Sequence, residues 1–266
     1  MKDFKHLLRI KKSNHHARRS QCLRHRLIIR KLGHCLPARR AQMAQLQKHL
    51  QRQYNDRRLY WESRSFSRLA SSSSCPSTIT AILDSMGVER HSWPKAKCMS
   101  SKEFASWARP TLSSTSLLIH GHVALTVLSP HFVTCNSSRS TEIISHGLSL
   151  ISQDGFDLRA THLQLQGDNC SKELKNNCIL LWAAQQVAMK RLGSCTASFL
   201  SSGHSHEDID ALFSNYSAWF DRMGDLETPQ AFQTALEKFM AVPEHRPYER
   251  IKKVMMMSRF RDWCPS

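Results

Sequence analysis

The sequence predicts an α/β protein with a mixed sheet, in the element order β-β-β-α-β-α-β-α, preceded by a basic helical arm. Short apolar runs bounded by turn residues indicate strands, and amphipathic stretches between the later runs indicate helices. Strands that alternate with crossover helices build a sheet covered on both faces. Acidic residues stand where predicted strands end or a helix begins, at Asp84, Asp168 and Asp210.

The first 70 residues are predicted to form the basic, mainly helical arm. Residues 1–60 hold 17 Lys and Arg against only Asp3 and Asp56, whereas the other 206 residues hold 21 basic against 19 acidic. Apolar residues recur at helical spacing and predict one long helix over 38–68. They are Leu46, Leu50, Tyr54, Leu59 and Trp61. Such a charge distribution is typical of a nucleic-acid binder, although a solvated tail or an import signal has the same composition.

A Ser-rich break at Ser71–Pro76 separates the arm from the predicted sheet domain, residues 78–222. The apolar run over 78–84 predicts the first strand. Two further strands, 116–122 and 123–129, are predicted to form a hairpin near Gly121. His120 and His122 are two apart, so on a strand they would share a face, and we interpret them as structural.

The second half of the sheet domain alternates helices and strands. Residues 141–152 are amphipathic, and strands are predicted at 162–167 and 195–200, with helices over 172–191 and 205–222. Thr228-Pro229 is typical of a capped helix start. Residues 223–266 are predicted to form a C-terminal helical extension, in which 245–266 fit no clear pattern.

Asp84, Asp168 and Asp210 are the candidate catalytic and metal-binding residues. Connected strand ends in such sheets meet at one edge, where ligands gather. Three carboxylates there would suit Mg²⁺ or Mn²⁺, since these hard cations prefer oxygen ligands. A pair of such ions stabilises both the attacking and the leaving oxygen of a phosphodiester.

Several motifs resemble an uncharacterised transposase-like family with a ribonuclease H-like (integrase-like) fold. They are Gln53–Arg57 with Tyr60-Trp61, Ile82–Met86 with Trp93-Pro94, His120–His122, Asp168–Cys170 with Glu173, Lys175 and Asn176, and Gly203–Asp210. The resemblance covers roughly residues 15–265 and implies a transposon-derived domain, nucleic-acid partners and a divalent-metal acidic triad. Gly87 and Arg90 stand where members often have an acid and a Lys, which favours a decayed copy.

Asp168 also has a structural interpretation, because Asp168-Asn169-Cys170-Ser171 precedes a predicted helix and Asp, Asn and Ser are good N-caps. Capping needs one such side chain. Asn169 and Lys175 could instead orient a phosphate at the positive end of the helix.

The stretch Gly203–Asp210 is the richest cluster of candidate side chains. Ser205 and Asp208 fit a capping box, but His204, His206, Glu207 and Asp210 remain unexplained by it. His206 and Glu207 lie four and three residues before Asp210, so they share its helix face. Asp210 is the predicted third acid, with Asp208 or Glu207 as alternatives and His204 as an orienting group.

The arm contains donor atoms suited to zinc at His16, Cys22 and His25, but their spacing is irregular and a zinc site is not expected. Nine cysteines without a C-x-x-C pair indicate reduced thiols inside the cell. No apolar stretch reaches about 18 residues, so no membrane span is expected.

The sequence therefore predicts a DDE-type, metal-dependent domain that cleaves or joins DNA, with residues 1–60 binding the DNA and the nucleus as its location. One alternative is an inactive DNA- or protein-binding relic of a transposase. A zinc-dependent binding module in the arm and a truncated gene copy without a role are the others.

Overall fold

The computed structural model describes residues 21–86, 92–96, 109–130, 137–167, 174, 176–199, 207–245, 247 and 249–257, without the side chains of 21, 56, 137, 138 and 207. Its helices are α1 (Gln21–Lys31), α2 (Leu36–Ala70), α3 (Ser137–Gln153), α4 (Asn177–Ala188), α5 (Glu207–Arg222) and α6 (Pro229–Ala241). Its strands are β1 (Thr78–Met86), β2 (Leu112–Ile119), β3 (Val123–Pro130), β4 (His162–Gly167), β5 (Ser194–Phe199) and β6 (Ile251–Met256). The predicted α/β class and the order β-β-β-α-β-α-β-α are confirmed in β1 to α5.

The six strands form one mixed sheet in the order β5-β4-β1-β2-β3-β6. Strand β2 is antiparallel to both of its neighbours, β1 and β3. The other neighbouring pairs are parallel: β4 with β1, β5 with β4, and β6 with β3. β4 and β5 follow helices α3 and α4, as expected for parallel neighbours joined by crossovers. The sixth strand was not predicted, because its sequence Ile-Lys-Lys-Val-Met-Met lacks the alternation of a half-buried strand.

The sheet is covered on both faces. Ile79, Ala81 and Leu83 of β1 face a core formed with α3 and α4. Ile82 and Met86 face a second core, formed with α5, α6 and Tyr60 of α2. This alternation follows from the period of two in a strand, and it places Asp84 on the face of the second core.

The helix starts differ in how well the sequence predicted them. Thr228 caps α6 as predicted, accepting a hydrogen bond from the Ala231 amide at 3.2 Å. By contrast, α4 begins at Asn177 and is capped by Asn176, which accepts from the Ile179 amide at 3.0 Å. The predicted start at residue 172 is therefore wrong, and so is the interpretation of Asp168 to Ser171 as its cap.

The two histidines of the β2–β3 hairpin lie on opposite faces, contrary to the prediction. The His120 ring contacts Tyr60 of the second core, with ring centroids 5.8 Å apart, and the His122 ring contacts Phe156 of the first core at 5.1 Å. Residues 120–122 form the turn rather than strand, with Gly121 at φ +82°. A turn breaks the strand alternation on which the prediction depended.

None of the described helices is both long enough and apolar enough to cross a membrane.

Candidate nucleic-acid interface and acidic edge

Helices α1 and α2 form the helical arm, and most of its basic side chains are exposed. Residues 21–70 contain 12 Lys and Arg against Asp56 and Glu62. Ten of the basic residues are exposed, and the two partly buried ones are Arg57 and Arg64. The exposed ones are Arg24, Arg26, Arg30, Lys31, Arg39, Arg40, Lys48, Arg52, Arg58 and Arg68. The part of the predicted arm before residue 21 lies outside the described residues.

The end of α2 is fixed to the sheet by a buried serine. The Ser67 hydroxyl donates to the His120 carbonyl at 2.7 Å and accepts from the Thr80 amide at 3.1 Å. Ser67 is fully buried, so these two bonds satisfy backbone groups that would otherwise be costly to desolvate. One side chain thus joins α2, β1 and the hairpin turn.

Tyr60, Arg64, His120 and Asp208 form a second connection, which we name the Asp208 network. Arg64 Nη1 donates to both Asp208 oxygens, at 2.8 and 2.7 Å, and the Tyr60 hydroxyl donates to Asp208 Oδ2 at 2.8 Å. His120 Nε2 lies 2.8 Å from the same hydroxyl. Because the Tyr60 hydroxyl donates its proton to Asp208, His120 Nε2 is assigned as the donor to the Tyr60 oxygen.

Electrostatics in the Asp208 network follow from burial and charge. Burial raises the pKa of the Asp208 carboxyl, but hydrogen bonds from Arg64 and Tyr60 and the charge at His120 outweigh it, so the pKa lies below its ordinary value. Burial, reinforced by the Asp208 charge, raises the pKa of Tyr60. Asp208 is therefore an anion paired with Arg64, and Tyr60 stays neutral.

A cavity of about 240 Å³ adjoins the network and is lined by Arg64, Arg68, His120, Asp208 and Glu249 among others. Glu249 Oε1 lies 3.8 Å from His120 Nδ1, which is buried and has no hydrogen-bond partner among the described residues. The cavity contains cations and anions in similar number, so it favours neither sign of ligand.

Asp84 lies on β1 near its carboxyl end, two residues before the strand ends at Met86. It is partly exposed and pairs with Ser116 across β2. Ser116 Oγ lies 2.9 Å from Thr126 Oγ1, which in turn lies 2.8 Å from the Tyr216 hydroxyl. A row of hydrogen-bonded polar groups therefore extends from beside Asp84 to α5.

The register of β1 and β4 brings their carboxyl ends to the edge where Asp84 lies. Ile82 pairs with Gln166, two residues before Asp84 and Asp168 respectively. Asp168 itself, together with Asn169, Lys175, His204 and His206, lies outside the described residues. The side chain of Glu207 is likewise outside them.

The start of α5 lies beside the hairpin turn, near the Thr80 end of β1. Asp208 contacts Tyr60, which contacts His120, and the His120 amide bonds to the Thr80 carbonyl at 3.0 Å. Asp84 lies four residues beyond Thr80, about 13 Å along the strand. Asp210 is only about 3 Å along the helix axis from Asp208, and it is exposed. Asp208 is therefore part of the Asp208 network near the Thr80 end of β1, and Asp210 as the third acid stays a prediction.

Two of the candidate zinc ligands, Cys22 and His25, lie on α1 and face α2. His16 precedes the described residues. Cys22 Sγ is 3.2 Å from His49 Nε2, and His25 Nδ1 is hydrogen-bonded to the Gln42 amide. Across the described ranges, no group of three His, Cys, Asp or Glu side chains is arranged to hold a metal ion.

Sequence reasoning missed His120, Tyr60 and Arg64 as partners of Asp208. Tyr60 and His120 stand in motifs that carry the family resemblance, but 60 residues separate them. No local pattern signals such a contact, and only the fold brings them together.

Together, these observations define an α/β protein with a mixed six-stranded sheet and a basic helical arm docked on it. The chain belongs to the family described as Domain of unknown function (DUF7869), whose sequence profile matches residues 112–264. The match begins at the first residue of β2, so it includes Asp168, Asp208 and Asp210 but not the arm or Asp84. No curated protein and no solved structure matches the chain.

Proposed function

We propose that this protein binds DNA through its helical arm, and that its body is a transposase-derived domain of the ribonuclease H-like type. The exposure of ten basic side chains on α1 and α2 carries the proposal. Lys and Arg bind phosphates and release condensed counterions, which gives affinity without much sequence reading. A nuclear location, which accords with such a partner, stays a prediction.

The strand order supports the proposed ancestry. An antiparallel β1-β2-β3 unit is extended at the β1 side by the parallel strands β4 and β5, each reached through a helix. This is the arrangement that the transposase-like resemblance implies. β6, on the far side of β3, is an addition to it.

Neutralising three arm residues should weaken DNA binding and flatten its salt dependence. The variant Arg39→Gln, Arg40→Gln, Lys48→Gln removes three exposed charges from α2. If all three contact phosphates, the slope of log K against log salt falls by up to about 2.7, at about 0.9 per contact. Fluorescence anisotropy with a labelled duplex at several salt concentrations measures it.

A matched control removes the same charge from the body, in Arg191→Gln, Arg222→Gln, Lys238→Gln, which are also exposed. Its slope should equal that of the unaltered protein. Equal losses in the two variants would show that net charge, rather than the arm, governs binding.

We also propose that Asp84 and Asp168 bind a divalent metal. The parallel register of β1 and β4 favours it, as does the capping of α4 by Asn176, which leaves Asp168 without that structural role. Mg²⁺ is commonly held by one or two carboxylates together with waters and substrate phosphates. When bound, such an ion would stabilise charge on phosphodiester oxygens.

Asp84→Asn and Asp168→Asn should each weaken Mn²⁺ binding about tenfold or more, whereas Asp210→Asn should leave it unchanged. We expect this asymmetry because α5 begins near Thr80, about 13 Å along β1 from Asp84. Calorimetric titration with Mn²⁺ measures the affinities, and plasmid nicking in Mn²⁺ then tests for cleavage. Unchanged binding in Asp84→Asn would refute the site, and a loss in Asp210→Asn would restore the three-acid arrangement.

A further inference from the structure

The helical arm exposes large apolar side chains as well as charges. Nine of the twelve exposed large hydrophobic residues of the described chain lie on α1 and α2. Large exposed apolar patches, especially ones rimmed by polar residues, mark interaction sites. The arm therefore presents a contact surface of mixed character.

One face of α2 carries both kinds of side chain along its length. Leu36, Met43, Leu50, Tyr54 and Trp61 follow each other at steps of seven, seven, four and seven residues, which return to the same side of a helix. Arg40 and Arg58 lie four residues after Leu36 and Tyr54, on the same side. We name this surface the α2 face.

Tyr54 is the most exposed aromatic ring of the α2 face, at 53%. Trp61 contacts it edge to face, with ring centroids 6.4 Å apart and an interplanar angle of 83°. Trp61 also packs against the second core, so it supports the Tyr54 ring from the body of the protein. An exposed ring held in this way is suited to stacking with a planar group.

Arg58 provides a cation one helical turn from the Tyr54 ring. Its side chain is 58% exposed and lies 3.5 Å from Glu62, whose side chain is 53% exposed. An exposed ion pair of this kind contributes little free energy. A phosphate can therefore replace Glu62 as the partner of Arg58 at small cost.

We infer that the α2 face binds an unpaired nucleic-acid strand, with a base stacked on Tyr54 and phosphates held by Arg40 and Arg58. This rests on the proposed DNA binding and names the form of the ligand. In a duplex the bases are stacked on each other, so phosphate contacts alone would leave Tyr54 unused. An unpaired strand offers base faces and phosphates together, and proteins that bind one combine aromatic rings with basic side chains.

The test compares a fluorescent oligo(dT) strand with a hairpin duplex of equal phosphate number, using the full-length protein. Tyr54→Ala should weaken binding of the strand about 5-fold to 150-fold, the range for loss of one stacked base. Tyr54→Phe retains a ring and should bind as the unaltered protein does. Duplex binding should be the same for all three, because phosphates alone make that contact.

Phe66→Ala is the matched control, since Phe66 is 63% exposed on the same helix and lies about 120° around it from Tyr54. It should bind the strand normally, and circular dichroism checks that each variant is folded. Unchanged strand binding by Tyr54→Ala, or an equal loss in Phe66→Ala, would overturn the inference. If strand and duplex bind equally and both respond to the arm charges, DNA binding stands while the inference fails. If neither binds, both fail.

Discussion

Replacing Asp208 by Ala should lower the free energy of unfolding by about 2–4 kcal/mol. Removing one partner of a buried ion pair costs about 3–5 kcal/mol, and the 20% and 22% exposure of the Asp208 and Arg64 side chains reduces that figure. The variant leaves Arg64 without this carboxylate and the Tyr60 hydroxyl without its acceptor. Urea unfolding followed by circular dichroism measures the loss.

The control is Glu62→Ala, which breaks an ion pair on the same helix. The Arg58 and Glu62 side chains are both more than half exposed, so this change should alter stability by no more than about 0.5 kcal/mol. Similar losses in the two variants would contradict the role of the Asp208 network in attaching α2 to the sheet.

The same carboxylate makes stability depend on pH in the acid range. Because the folded pKa of Asp208 lies below its ordinary value of 3.8, its contribution is complete well above pH 3.8 and is lost as the pH falls through the folded pKa. Asp208→Asn should therefore flatten the decline of stability below about pH 4. An identical decline in the two proteins would assign acid sensitivity to other groups.

Gly121→Ala should lower the free energy of unfolding by about 2–5 kcal/mol. At φ +82° a non-glycine residue is strained by about 1–2 kcal/mol. The new Cβ would also lie 2.9 Å from the Arg68 Cα and 3.0 Å from the Ser71 Cβ, so the end of α2 must move. Forcing atoms into an occupied space adds about 1–3 kcal/mol.

Gly155→Ala separates the two causes. Gly155 has φ +93°, and a Cβ there would meet nothing within 4 Å. This variant should lose only the strain of about 1–2 kcal/mol. If Gly121→Ala costs no more than Gly155→Ala, the close approach of α2 to the hairpin turn is not needed for stability.

Local patterns identified most elements because their signals lie within a few residues. The long helix predicted over 38–68 is α2, at Leu36–Ala70, and the strand predicted over 162–167 is β4, at His162–Gly167. β6 was missed because its strand character depends on pairing with β3, far away in the sequence. The start of α4 was misplaced because several residues before it are good caps, and local preference does not choose among them.

The candidate site was harder to predict than the fold. That Asp84 lies near the carboxyl end of β1, and on which face of the sheet, follows from strand period and connectivity. The position of the acids on α5 does not follow from these features. It depends on the direction in which α5 crosses the sheet, which is set by packing of the whole second core. Asp208, which the sequence offers as an alternative third acid, bonds to Arg64 and Tyr60.

By itself the sequence determined the α/β class, the charge of the arm and the apolar faces of its helices, since these are properties of composition and period. Only the tertiary structure decided that α2 attaches to the hairpin turn, that His120 and His122 face different cores, and that Asp208 bonds to Arg64 and Tyr60. The contacts of α2 with the hairpin turn and with Asp208 join residues more than 50 positions apart, such as Ser67 with His120. Whether such distant contacts form depends on how all the elements pack together, and no short stretch of sequence determines that.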